Sequence, residues 1–170
     1  MSESVQSPLD ALTPPAEQGQ CFSHSSELPI PAEDVLATLN FAGVNFELGP
    51  WVQMSAPASW ASQGITAWPT NQYLFSSWIT LFGFIPIDRH HFQLRGVDPA
   101  SGFVECSRSW NNRYWHHARR IQSLPQGCRV TDTVHYRSRL PILGWLLKPV
   151  YQAVFAWRHR QLRKKFGQLA

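Results

Sequence analysis

The chain has little of what usually announces a function. Three cysteines, Cys21, Cys106 and Cys128, are scattered over 170 residues with no CxxC pair. An odd count without paired spacing argues against a disulfide scaffold and against a structural zinc site. Charged residues make up only 15% of the chain, so it has no long tract of one sign to hold a nucleic acid along a face. No apolar run approaches the ~20 residues that a membrane-spanning helix needs. The opening stretch MSESVQSPLDALTPP has no apolar segment, so no secretory signal is expected and a reducing, cytoplasmic setting is the default. GxSxG, P-loop and GxGxxG patterns are all missing. Cys106 and Cys128 fall within strand patterns as packed thiols, with no positioned base to activate them.

Large apolar side chains are abundant instead. Hydrophobic residues reach 44%, with eight Trp and ten Phe. That content fills a core, and it also walls a wide apolar pocket. The length suits one domain with a substantial core. Residues 1–19 are rich in Ser, Pro, Gln and acids, and read as a flexible tail ahead of a single domain over 20–168.

The one long helical pattern is LGWLLKPVYQAVFAWRHRQLRKKF, from about Leu143 to Phe166. Leu143, Leu146, Leu147, Val150, Val154 and Trp157 recur at three- and four-residue steps and predict the face that presses onto the rest of the protein. On that reading Val150→Asp should destabilise the fold or abolish ligand uptake. Pro149 either starts the regular helix or kinks it. Arg158, Arg160, Arg163, Lys164 and Lys165 crowd the end, where the helix dipole favours cations. This end reads first as solvated, then as a weak contact with an anionic membrane surface through Arg163, Lys164 and Lys165. Nucleic acid is not an expected partner.

Before that helix the chain reads mostly as strands. CFSHSSEL predicts a first strand ended by Pro29 and Pro31. Pro31, Glu33 and Asp34 then open a short helix over 31–40. FAGVNFEL suggests a second, stopped at Gly49-Pro50. Trp51–Met54 suits a short strand. Residues 55–71 are turn-rich, with Trp60 and Trp68 expected over a cavity mouth. YLFSSWITLFGFIPI (73–87) favours strand, limited by Gly83 and Pro86. Strands follow over 88–97, 103–110, 114–124 and 128–137, with turns at Asp98–Gly102 and at Leu124-Pro125-Gln126-Gly127.

The last hairpin allows a register to be derived. Cys128, Val130, Asp132, Val134 and Tyr136 share one face of their strand. Trp115, His117, Arg119 and Ile121 share one face of theirs. Pairing Leu124 with Gly127 sets Ile121 against Val130, Arg119 against Asp132, His117 against Val134 and Trp115 against Tyr136. A bulge at Gly127 would offer Arg120 to Asp132 instead. Asp132 therefore reads as one half of a cross-strand ion pair, with a polar anchor inside a cavity as the functional alternative and a catalytic carboxylate a distant third.

The chain resembles the SRPBCC superfamily, which includes START, polyketide cyclase and birch-pollen-allergen-like domains. The resemblance rests on Leu28-Pro29-Ile30-Pro31-Ala32-Glu33-Asp34-Val35, Gly102-Phe103-Val104-Glu105, Trp115-His116-His117, and Val130-Thr131-Asp132-Thr133-Val134-His135-Tyr136. It ends with Leu140-Pro141-Ile142-Leu143-Gly144 leading into Phe155-Ala156-Trp157-Arg158-His159-Arg160. It implies an α+β helix-grip fold: six or seven antiparallel strands around a long C-terminal helix, with two short helices after the first strand. It also implies a hydrophobic cavity but no single activity.

On this basis the expected function is binding of a hydrophobic small molecule, of lipid, polyketide-like or isoprenoid type. The apolar walls would be Trp51, Phe82, Phe92, Leu94, Trp115, Val134, Leu147, Val150 and Val154, with His117, Arg119 and Asp132 as polar anchors. One alternative is a cyclase/aromatase- or hydrolase-like enzyme in which His117 or Asp132 moves a proton. Another is a peripheral membrane or partner-binding module built on the basic helix end. No catalytic residue, cofactor or metal site is assigned. Adjacent histidines in His90-His91 and His116-His117 point to opposite faces of a strand, so neither doublet can close on one ion. Asp88-Arg89-His90 reads as a solvated turn.

Overall fold

The computed structural model describes residues 8–12 and 19–169. Seven antiparallel strands form one sheet: β1 (Gln20–Leu28), β2 (Val52–Met54), β3 (Tyr73–Leu81), β4 (Ile85–Asp98), β5 (Gly102–Ser109), β6 (Asn112–Leu124) and β7 (Gly127–Ser138). Their order is β1-β7-β6-β5-β4-β3-β2. Helices α1 (Ala32–Leu36) and α2 (Phe41–Leu48) follow β1, α3 (Ala58–Ala61) follows β2, and α4 (Pro141–Phe166) ends the fold. No helix among the described residues is long and apolar enough to cross a membrane.

The β6–β7 hairpin adopts the register that side-chain matching demands: Leu124 meets Gly127, Ile121 meets Val130 and Arg119 meets Asp132. There is no bulge at the turn. Gly127 is required there, because a Cβ would lie 2.0 Å from the Leu28 carbonyl oxygen and φ is +150°. That contact brings the turn against the end of β1, which pairs with β7 along its whole length.

Local chemistry explains the short helices. The Asn40 side chain accepts from Gly43 N–H at 2.9 Å and caps α2. The Asn45 amide then exchanges two hydrogen bonds with the Met54 backbone, at 2.9 and 2.8 Å. These fasten α2 to the edge strand and aim Glu47 inward. The main core gathers Leu28, Val35, Leu94, Ile121, Val130 and Leu162, each 2% exposed or less. Burying one such side chain contributes about 1.5–3 kcal/mol. A second cluster, Phe22, Val134, Tyr136 and Phe155, lies between β1, β7 and the middle of α4.

Several expectations need correction. Asp88 and His90 are buried within β4, not part of a solvated turn. Trp68 lines the cavity but is buried in the main core with Phe41 and Phe75 instead of lying in a loop over the mouth, and Trp60 meets it edge-on. Of the tail expected over 1–19, residues 1–7 and 13–18 lie outside the described residues. Pro8–Ala11 forms a 3₁₀ turn whose Leu9 is buried at Gly96 of β4.

The largest correction concerns α4. It runs through Pro149, and its buried residues are Gly144, Phe155, Arg158, His159 and Leu162. Of the stripe expected to press onto the sheet, Leu146 and Val150 are 56% and 51% exposed, while Leu147, Val150 and Val154 border a space beneath the helix instead of packing against strands. The first turn is tied to β7, where Tyr136 Oη donates to the Gly144 carbonyl at 2.9 Å, and between that tie and Tyr151 the helix stands off the sheet. Val150→Asp is accordingly expected to change stability by less than about 1 kcal/mol. A thermal melt checks this, and a loss of several kcal/mol would mean that this turn is packed after all.

Candidate functional site

Where α4 stands off the sheet, a cavity of about 260 Å³ remains. Its walls are mainly apolar: Phe41, Val44, Ile79, Phe92, Leu94 and Phe103 from α2 and the sheet, and Leu147, Val150, Val154 and Phe155 from α4. Of the twelve residues expected from sequence, the structure gathers eight around this space: Phe92, Leu94, Trp115, His117, Arg119, Leu147, Val150 and Val154. Four lie elsewhere. Trp51 and Phe82 are half exposed and meet each other edge-on, with ring centroids 6.0 Å apart. Phe82 belongs to the β3–β4 turn, and its N–H donates at 2.7 Å to the carbonyl of Trp51, which precedes β2. Val134 belongs to the second core cluster beneath Phe155. Asp132 is fully buried behind Arg119.

The cavity floor is a charged network. Asp132 Oδ1 accepts from Arg119 Nε at 2.8 Å and Oδ2 from Arg119 Nη2 at 2.7 Å. Arg119 Nη1 and Nη2 donate to Glu47 Oε1 and Oε2 at 2.7 and 2.8 Å. Arg158 Nε donates to Glu47 Oε2 at 2.9 Å, with its guanidinium over the Phe155 ring. His117 Nε2 donates to Asp132 Oδ1 at 2.9 Å, because an ionised carboxylate can only accept. On its other side His117 Nδ1 stands 3.7 Å from Glu105 Oε2. His90 Nε2 makes a close hydrogen bond to Glu105 Oε1.

Burial alone would raise all three carboxyl groups, but their neighbours win. Arg119 and then His117 hold Asp132 well below its ordinary value. Arg119 and Arg158 hold Glu47 down, and His90 and His117 hold Glu105 down. Burial likewise opposes the charge on Arg119, yet Asp132 and Glu47 raise it far above its ordinary value. Such pairs contribute little net energy relative to an apolar core, but breaking one is costly.

These shifts predict an acid limb. Glu47, Asp132 and Glu105 bind protons less readily folded than unfolded. Their stabilisation is complete above about pH 5 and is lost as pH falls through their ordinary values and below. A shallower loss should precede it, because burial lowers His116 and His135 on the outer face from 6.5. Below pH 6.5 the unfolded chain takes up those protons first. Urea midpoints measured from pH 8 to pH 3 check both limbs. A midpoint that stays flat below pH 5 would mean that the three carboxylates are not paired as described.

Besides His90, Arg158 and apolar walls such as Phe41 and Phe103, sequence reasoning missed two acids of the site, Glu47 and Glu105. Each carried a signal, a single acid in an otherwise apolar stretch (FAGVNFEL and GFVEC). A lone buried acid must find a cation. Among the described residues, no group of three or more His, Cys, Asp or Glu side chains could hold a metal ion.

A curled antiparallel sheet closed by one long C-terminal helix, with a cavity between them, is a helix-grip fold. Residues 26–166 match DUF8410, a domain of unknown function, and the chain belongs to that family. Solved structures share the fold at low identity. A protein from Chromobacterium violaceum has a TM-score of 0.65 at 10% identity, covering 88% of this chain and 99% of its own. A START superfamily protein from Mycobacterium smegmatis reaches 0.61 at 11% identity, covering 89% and 100%. The Zhui aromatase/cyclase from a Streptomyces species reaches 0.62 at 11% identity, covering 87% and 93%. No curated protein matches.

Proposed function

We propose that this protein binds a compact hydrophobic molecule carrying an uncharged or cationic polar group. The observation that carries this reading is the cavity itself, an apolar space of about 260 Å³ closed at one end by a charged floor. That volume is just below the usual range of ligand sites, roughly 300–1,000 Å³. It suits a single ring system or a short isoprenoid-like chain better than a two-chain lipid. Burial of the ligand would drive binding, at about 25 cal/mol per Å² of apolar surface.

The floor supports the choice of polar group. Three buried carboxylates face two guanidiniums, and both guanidiniums are already bonded to carboxylates. An anionic ligand would find no unpaired guanidinium on this floor. Glu105 Oε2, whose ion-pair partner among the described residues is His117 Nδ1 at 3.7 Å, is the acceptor best placed for a ligand hydroxyl or amine. Native mass spectrometry of the purified chain, followed by a panel of matched alcohols, amines and carboxylic acids, tests this. Retention of the carboxylic acids in preference to the alcohols and amines would overturn it.

One observation favours an enzyme, namely that His90 and Glu105 are bonded and both line the cavity. Asp132 is less suited to proton transfer, since it is locked to Arg119 and His117 away from the space. On the enzyme reading Glu105→Gln should lower turnover of a retained compound far more than it lowers the affinity for it. Unchanged turnover would remove that reading. The similarity to an aromatase/cyclase supports the fold here and no particular reaction.

The basic end of α4 gives the membrane reading less support than its composition suggested. Arg163 donates to Ser26 Oγ at 2.7 Å, and Lys165 lies over Phe46 and Phe166.

A further inference from the structure

The opposite end of the molecule has an unusual surface. Antiparallel order brings the start of α4, the β3–β4 turn, the end of β5 and the end of β7 together. Two apolar ridges stand there in solvent. One is the outward stripe of α4, with Ile142 at 72% exposure, Trp145 at 73% and Leu146 at 56%. The other is the β3–β4 turn, with Phe84 at 74% and Ile85 and Ile87 nearly half exposed. Among the described residues, every exposed large apolar side chain except Phe46 and Tyr73 lies at this end. Patches of this kind mark a contact surface.

Charge identifies what they contact. Arg108, Arg113, Arg137 and Arg139 are exposed around the ridges, and Arg89 and Lys148 are half exposed. Among the described residues the only acid in this region, Asp88, is buried. We infer that this end docks on an anionic lipid bilayer, with the α4 stripe and the β3–β4 turn inserted at headgroup depth and the arginines on lipid phosphates. Helices that lie in an interface have this composition, aromatic and aliphatic on one side with cations at the border. Tryptophans such as Trp145 and Trp110 favour the headgroup layer for their amphipathic rings. Anionic headgroups then add attraction for each nearby Arg or Lys. A second copy of the chain fits less well, since a symmetric contact would set these cations against their own kind.

The cavity opens on the same surface, since Ile87 and Val150 both line it and are about half exposed. Docking stands independently of what the cavity holds, so failure of either proposal leaves the other intact.

The test is co-sedimentation of the full chain with phosphatidylcholine vesicles, with and without phosphatidylserine. Binding to the anionic vesicles only, weakened by salt, is expected. The Phe84→Ser/Trp145→Ser variant removes only exposed side chains, so its melting temperature should be unchanged while vesicle affinity falls about tenfold or more. Arg108→Gln/Arg113→Gln should weaken binding in the same direction. Arg163→Gln/Lys164→Gln/Lys165→Gln, at the far end, should leave it in place. No binding to anionic vesicles would overturn the inference. So would unchanged binding by the Phe84/Trp145 variant, or light scattering that shows a dimer which this variant splits.

Discussion

Arg119→Met is expected to be among the most damaging substitutions in the described chain. The side chain is 1% exposed and satisfies two carboxylates at once, Glu47 from α2 and Asp132 from β7. Removing it leaves two buried anions without a common partner, and Arg158 can answer only Glu47. The loss should be about 3–5 kcal/mol, the usual cost of breaking a buried pair. In a domain whose whole stability is of order 5–15 kcal/mol, that leaves a large unfolded fraction. Arg119→Lys should recover only part of it, since an ammonium cannot make the paired contacts of a planar guanidinium. Glu47→Gln/Arg119→Met/Asp132→Asn removes all three charges together and should be more stable than Arg119→Met alone. Urea denaturation of the three variants measures the series. A loss below about 1 kcal/mol for Arg119→Met would show that the network is not the buried link described.

Val154→Trp should have the largest effect on binding. Val154 lines the cavity from α4, one residue before the point where Phe155 locks the helix onto the sheet. An indole there would fill much of a 260 Å³ space from its helix side. Co-purified ligand should disappear from native mass spectra, and affinity for any panel compound should fall about a hundredfold or more. Stability should hold or rise, because the added ring takes up empty volume and overpacks nothing. Undiminished retention in a variant with an unchanged melting temperature would place the ligand somewhere other than this cavity.

How much of this could be read from the chain differs by element. The β6–β7 register was legible because alternation has period two and a mismatch sets charge against carbon. Arg119 opposite Asp132 followed from that rule alone. The long helix was legible as a helix, but its buried face was not. Periodicity shows that Leu146 and Val150 share a side, but does not say whether that side meets a sheet or water. Glu47 was out of reach for another reason. Seventy-two residues separate it from Arg119, and only the path of α2 over the sheet brings them together.

Local chemistry in the sequence thus determined the strands, their pairing at the final hairpin and the closing helix. Those features depend on neighbours in the chain or directly across a turn. The tertiary structure alone decided which side of α4 is buried, how far it stands off the sheet before Tyr151, and hence that there is a cavity. It also decided that the apolar stripe of α4 lies in solvent among arginines. These depend on packing between distant elements, where helix-to-sheet distance is set by a few side chains such as Phe155 and Tyr151 and by the charges of Glu47, Arg119 and Arg158.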